Sequence, residues 1–137
     1  MMPEQLERIM RNQGFTGRLG IKLETFSENQ VTCSLAVQDW MMNPNGVLHG
    51  GVIFTLMDSG MGVAVATQLK EGERCTAFQI QVHYLRPAAT GKLEAKSSVA
   101  HLGEKLGVAE STVFNEYGDL IAKATGSFYI SRKKGAV

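Results

Sequence analysis

One apolar segment, residues 51 to 69, constrains the fold of this 137-residue chain more than any other. It is long enough for a helix of several turns, and it is apolar on nearly every side. Its only charge is Asp58, and Ser59, Thr67 and three glycines also interrupt the run. A membrane-spanning helix needs about 20 mostly apolar residues. We therefore expect a buried helix of a water-soluble protein.

Runs of alternating apolar and polar residues, the pattern of strands, flank this helix on both sides. Two runs precede it, from Leu19 to Phe26 and from Val31 to Val37. Four more follow it: CTAFQIQVHYL, KLEAKSSVAHL, LGVAESTVFN and LIAKATGSFYI. The connections are short enough for antiparallel neighbours. The sequence predicts an α+β domain in which about six antiparallel strands wrap around one long central helix.

Composition and cysteine usage limit the classes of function. A net charge of +1 gives no global field to attract nucleic acid or a membrane surface. Cys33 and Cys75 lack CxxC spacing and no secretory signal is present, so we expect a cytoplasmic protein. We expect a single domain over residues 1–137. Its first 13 residues have the spacing of a short amphipathic helix that ends at Gly14.

The central helix is too apolar for one sheet face to cover. In the strand after it, Gln79, Gln81 and His83 form a polar face, so that strand buries only its other side. Surplus apolar surface on the helix predicts a partner subunit.

Asp58 has no lysine or arginine one helical turn away, although such a residue is the usual partner of a buried carboxylate in a helix. Its neighbours at those spacings are Phe54, Thr55, Met61 and Gly62. The helix dipole acts mainly in the first turn, and Asp58 lies about two turns further along. The carboxylate either occupies a solvent-facing notch or has a functional role toward a ligand or another chain.

The start of the helix, Gly50-Gly51, favours a functional role. Backbone N–H groups at a helix start are unpaired, and glycine lets a carbonyl approach them closely, which suits an oxyanion. The alternative is that the glycines only permit a tight turn. Asp58 lies roughly 11 to 12 Å along the axis from these donors. In a homodimer the donors of one chain would face the carboxylate of the other.

The stretch NPNGVLHGGVIFTLMDSGMG, followed by QVHYLRPA, resembles the hotdog-fold acyl-CoA thioesterases, specifically the PaaI-like branch associated with phenylacetate metabolism. The resemblance covers nearly the whole chain. It implies that the Gly50 N–H binds the oxyanion, His49 shapes the turn and Asn43 positions water or the thioester. It also implies that Asp58 acts across a homodimer interface, in a dimer of dimers.

Other residues are weaker candidates for substrate binding. Gly51 lies beside the proposed donor. The side chains of Phe54, Met57 and Met61 either line an adaptable apolar pocket or belong to the core. Relatives often carry Ser or Thr early in the next strand, where this chain has Ala77, with Thr76 on the opposite face.

Basic residues are candidates for the phosphates of CoA, although such residues are often only solvated. They are Arg86, Arg132, Lys133 and Lys134. His83 and His101 have no ligand spacing with His49, so we expect no metal site. CoA is part of the substrate, and no separate cofactor is expected.

The resemblance therefore implies hydrolysis of an acyl-CoA to the free acid and CoA. The sequence does not identify the acyl group: an aryl- or medium-chain acyl-CoA is expected, and a branched acyl group is also open. Asp58 activates water or attacks directly, and its short side chain favours water. One alternative is a non-catalytic acyl-CoA-binding module. A regulator of this kind is expected to carry a DNA-binding segment, and the roughly 17 residues before the first strand are too few for a helix-turn-helix. The other is a hotdog dehydratase, which needs a catalytic histidine outside the HGG turn.

Overall fold

The computed structural model describes residue 11, residues 14–27 and residues 30–132. Most of the predicted N-terminal helix lies outside these residues, as do Lys133 and Lys134. A short 3₁₀ turn, Asp39–Met41, precedes the long helix. The helices and strands in chain order are α1 (Phe15–Leu19), β1 (Lys22–Phe26), β2 (Val31–Ala36), α2 (Gly50–Ala66), β3 (Glu73–Tyr84), β4 (Lys92–Leu102), β5 (Leu106–Phe114) and β6 (Leu120–Arg132).

The six strands form one antiparallel sheet in the order β1-β2-β4-β5-β6-β3, which confirms the predicted α+β architecture. The prediction that short connections join neighbours is wrong for β3 and β4. Both sides of β4 are occupied, by β2 and β5, so β3 lies at the far edge beside β6. The connection of residues 85–91 crosses three strand spacings of about 4.8 Å, which an extended heptapeptide of up to roughly 23 Å can span.

The sheet curves around α2 and covers almost all of it. Strands β2 to β6 all contact the helix. Its large apolar side chains are less than 9% exposed, apart from Phe54 at 37%. The prediction that the helix has surplus apolar surface is therefore wrong, because the curvature of the sheet lets it cover more than one face of the helix. The partner subunit stays a prediction.

The start of β1 also differs from the prediction. Leu19 ends α1 instead of opening a strand, because Gly20 adopts the left-handed conformation with φ of 81° and stops the helix. The N–H of Gly20 donates to the carbonyl of Gly17, and the N–H of Ile21 donates to that of Thr16. Leu19 and Ile21 are both buried, which produced the misleading two-residue period.

Strand β3 is the longer of the two edge strands. Among the described strands its only neighbour is β6, so no described strand pairs with the other side of its backbone. Gln79, Gln81 and His83 are exposed on its outer face, as predicted. A bulge places Phe78 between paired residues, and this side chain is 60% exposed. Tyr84 ends the strand beside the start of α2.

Candidate functional site

A cleft of about 260 Å³ lies where two loops meet the start of α2. One loop precedes the helix and the other follows β3. The N–H of Leu48 in the first loop donates to the carbonyl of Ala88 in the second at 2.7 Å, which joins the two walls. Most of the surface of the cleft is apolar. Its lining residues are Asn43, Val47, Leu48, Gly50, Ile53, Tyr84, Leu85, Arg86 and Pro87.

Asn43 holds the first loop in shape. Its side-chain carbonyl accepts the N–H of Asn45 at 2.9 Å and the N–H of Val47 at 3.3 Å. Its backbone N–H donates to the Val47 carbonyl at 2.7 Å. The side-chain Nδ2 group makes no hydrogen bond within the described part of the chain, and Asn43 is one of the residues that line the cleft. Asn43 is thus a rigid residue with a donor still available for a ligand.

His49 caps the start of α2. Its Nδ1 accepts the N–H of Gly51 at 2.8 Å, so the neutral ring carries its proton on Nε2. Its carbonyl accepts the N–H of Val52 at 3.0 Å. The expectation of two open glycine N–H groups is therefore wrong for Gly51. Unlike the N–H groups of Gly51 and Val52, the Gly50 N–H makes no hydrogen bond to the residues that the structure describes. Gly50 also lines the cleft.

Tyr84 was not identified from the sequence. Its hydroxyl donates to the Gly50 carbonyl at 2.9 Å. Two of its ring atoms lie 3.1 and 3.2 Å, and its hydroxyl oxygen 3.3 Å, from the position that a Cβ would take on Gly50. Burial raises the pKa of the Tyr84 hydroxyl, which keeps it protonated as a donor. The only local signal was its position within the second motif segment, QVHYLRPA, 34 residues from Gly50.

Asp58 is half-buried on the open stripe of α2 that also carries Gly51, Phe54 and Thr55. It makes no hydrogen bond or ion pair with any described residue. Burial raises the pKa of its carboxyl group above the usual value. It does not line the cleft, and its position in the helix puts it roughly 12 Å along the axis from Gly50. One chain therefore does not bring the carboxylate to the open N–H.

Several other predicted residues lie away from the cleft. Met57 and Met61 have no exposed surface and belong to the core. Phe54 is exposed one turn before Asp58. Thr76 is on the outer face of β3, at the end opposite the cleft, and pairs with Tyr129.

No three metal-binding side chains gather anywhere in the described ranges. His49 caps α2, His83 lies on β3 and His101 lies on β4. No helix in these ranges meets the length and hydrophobicity that a membrane span requires.

Arg86 lies at the rim of the cleft and is held by its backbone. Its N–H and that of Leu85 both donate to the Ile121 carbonyl, at 3.1 and 2.8 Å. Its guanidinium is 3.9 Å from the carboxylate of Asp119, which also accepts a hydrogen bond from the Asn115 side chain. Arg86 and Asp119 are both substantially exposed, so the arginine can exchange this partner for an anion from solution.

A curved antiparallel sheet around one long helix is the architecture of the hotdog class of α+β domains, and in this chain a glycine N–H at the start of that helix is open to a cleft. Residues 45–122 match the thioesterase superfamily. The chain belongs to the thioesterase superfamily and is a thioesterase.

Named relatives and solved structures agree with this assignment. The chain is 28% identical to the medium/long-chain acyl-CoA thioesterase YigI of Escherichia coli, over 90% of each chain. It resembles a thioesterase structure from Haemophilus influenzae with a TM-score of 0.86 and 26% identity, over 93% of this chain and 90% of the other. It resembles the Escherichia coli PaaI protein, from the phenylacetic acid degradation operon, with a TM-score of 0.81 and 26% identity, over 91% and 90%.

Proposed function

We propose that this protein hydrolyses the thioester of an aryl- or medium-chain acyl-CoA to the free acid and CoA. The observation that carries the proposal is the pairing of two unsatisfied groups on one helix. The Gly50 N–H is open to a cleft, and Asp58 is half-buried without a partner among the described residues. The first group suits a developing oxyanion, and the second suits a general base.

In the proposed reaction the thioester oxygen accepts the Gly50 N–H as the carbonyl carbon is attacked. Asp58 removes a proton from water, and the resulting hydroxide adds to that carbon. The tetrahedral intermediate then collapses, the C–S bond breaks, and CoA leaves as the thiolate or takes a proton from Asp58. A carboxyl pKa raised by burial makes Asp58 a stronger base than an ordinary aspartate. Direct attack by Asp58 is the alternative.

The site requires two chains, because Asp58 and Gly50 of one chain lie too far apart to share a reacting carbon. Strand β3 offers one unpaired edge for a second copy of the chain. We propose that the two copies of α2 run in opposite directions and that the two-fold axis passes near Phe54, midway between Gly50 and Asp58, so that the start of each helix faces the middle of the other. We propose a homodimer with two sites, and a dimer of dimers as its further assembly.

The cleft suggests how the substrate is held. Val47, Leu48, Ile53 and Leu85 give it apolar walls for an acyl or pantetheine chain. We propose that Arg86, which also lines the cleft, binds a CoA phosphate. Of the named relatives, YigI is a medium/long-chain acyl-CoA thioesterase and PaaI comes from the phenylacetic acid degradation operon, which fits the medium-chain and aryl acyl groups proposed.

A thiol-release assay with DTNB and a panel of aryl, medium-chain and branched acyl-CoAs tests the reaction. We expect release of free CoA with an aryl or medium-chain member at a kcat on the order of 1 s⁻¹ or above. Tight binding of every acyl-CoA without thiol release would instead identify a binding module.

Mixing two inactive variants tests the shared site. One variant carries Asp58→Asn and the other Gly50→Pro. A mixed dimer keeps one site with both groups intact, so random exchange of subunits should restore roughly a quarter of wild-type activity. If activity stays at the level of the separate variants after exchange is shown by mass spectrometry, the site lies within one chain.

A further inference from the structure

We infer that Tyr84 is a positioning residue for the oxyanion donor and acts through Gly50. The inference rests on the proposed function, in which the Gly50 N–H polarises the thioester. It starts from two contacts: the hydroxyl of Tyr84 donates to the Gly50 carbonyl at 2.9 Å, and its ring lies against the Gly50 Cα.

The start of α2 needs such a restraint because two consecutive glycines have the greatest backbone freedom of any dipeptide. Three hydrogen bonds reduce that freedom. The Val52 N–H binds the His49 carbonyl, which belongs to the same peptide group as the Gly50 N–H. The Gly51 N–H binds the His49 ring, and Tyr84 binds the Gly50 carbonyl. Together they fix the peptides on both sides of the Gly50 Cα, so the one open N–H has a fixed direction.

Of these three hydrogen bonds, the one from Tyr84 connects the helix start to the sheet. The other two join residues within four positions of one another and move with the helix. Tyr84 ends β3, and the loop that follows forms the other wall of the cleft. Its hydroxyl therefore sets the donor at a defined distance from the wall that holds the substrate. An oxyanion donor is effective only when it is aimed before the charge develops.

The same contact explains why residue 50 lacks a side chain. A Cβ on Gly50 would lie 3.1 Å from the Tyr84 ring, closer than an ordinary contact. Gly50 therefore serves two purposes: it leaves room for the thioester, and it lets the tyrosine ring pack over the helix start.

Tyr84→Phe removes the hydroxyl and keeps the ring, and Tyr129→Phe is its matched control. Both tyrosines are 51% exposed, but the Tyr129 hydroxyl makes no hydrogen bond to a described residue. We expect Tyr84→Phe to lower kcat about three- to tenfold with little change in KM, the effect of one hydrogen bond. Tyr129→Phe should leave both constants unchanged. An unchanged kcat in Tyr84→Phe would overturn the inference.

A spectroscopic measurement separates positioning from a general structural effect. In the slow variant Asp58→Asn, infrared difference spectra of bound octanoyl-CoA or phenylacetyl-CoA, labelled with ¹³C at the carbonyl, report the polarisation of the thioester. We expect a lower carbonyl frequency than in water, and a smaller lowering when Tyr84→Phe is added. An equal lowering in both proteins refutes the role of Tyr84 and leaves Gly50 as donor. No lowering in Asp58→Asn itself refutes the proposed oxyanion donor.

Discussion

The first turn and the middle of α2 differ in how completely the chain satisfies their polar groups. At the first turn, hydrogen bonds from Gly51, Val52 and Tyr84 leave one N–H open, that of Gly50. At the middle, Asp58 has no partner among the described residues and its carboxyl pKa is raised by burial. Hydrogen bonds within the described part of the chain thus fix the first turn, whereas no described residue pairs with the carboxylate in the middle of the helix. Under the proposed function, that carboxylate meets the open N–H of a second chain.

The largest expected effect is at the unsatisfied carboxylate. Asp58→Asn keeps shape and volume but removes the charge and the ability to accept a proton. We expect kcat to fall by a factor on the order of a hundred to ten thousand, with the dissociation constant of acyl-CoA little changed. Steady-state kinetics and calorimetric titration with CoA measure both quantities.

Asp119→Asn is the control for Asp58→Asn, because Asp119 is a carboxylate with partners, Arg86 and Asn115. We expect its kcat to stay within about twofold of wild type, as for an exposed ion pair. If Asp58→Asn kept wild-type kcat as well, the unpaired carboxylate would be a surface feature and the contrast within α2 would have no catalytic meaning.

The next largest effect tests the open N–H. Gly50→Pro deletes that donor, and proline is tolerated in the first turn of a helix. We expect kcat to fall about a hundred- to a thousandfold, as for other single oxyanion donors. Gly50→Ala is the matched control, since it keeps the N–H but adds the same Cβ, 3.1 Å from the Tyr84 ring. Equal losses in both variants would assign the effect to the displaced ring.

The order of elements could be predicted from sequence because each signal was local. Alternation identified the strands, and the long apolar run identified the central helix. The position of β3 could not be predicted, since connection length permits an edge several strands away. The burial of the helix was misjudged because sheet curvature has no local pattern.

The residues of the candidate site also divide into those that the sequence could predict and those that it could not. Asn43, His49 and Gly50 are close in sequence, and they come together in the structure. Tyr84 could not be predicted, because it meets Gly50 only after the sheet has formed. Asp58 was identified from what its helix lacks, and its catalytic partner stays a prediction that a single chain does not test.

A smaller effect is expected at the rim of the cleft. Arg86→Ala should raise KM for acyl-CoA about tenfold, the value of one charge-assisted contact to phosphate, with kcat nearly unchanged. The N-acetylcysteamine thioester of the same acid lacks the phosphates, so its kcat/KM should not change. A similar loss with both substrates would show that Arg86 shapes the cleft through its backbone neighbours and does not bind phosphate.

The smallest expected effect is on stability, and its dependence on pH separates the two regions of α2 most directly. Burial raises the pKa of the Asp58 carboxyl from its ordinary value of 3.8, so the folded protein binds this proton more tightly than the unfolded chain. Stability contributed by this group is then present below pH 3.8 and is lost as the pH rises through the higher folded value. Asp58→Asn removes that loss, so its Tm should exceed the wild-type Tm by a few degrees at pH 7, and the difference should disappear near pH 3. A carboxylate with an undetected cationic partner gives the opposite sign, because its pKa is lowered: Asp58→Asn would then be less stable at pH 7 and equal to wild type in acid. Thermal unfolding of both proteins from pH 3 to pH 8 decides between the two signs, and a destabilised Asp58→Asn at pH 7 would show that the middle of α2 is as fully satisfied as its start.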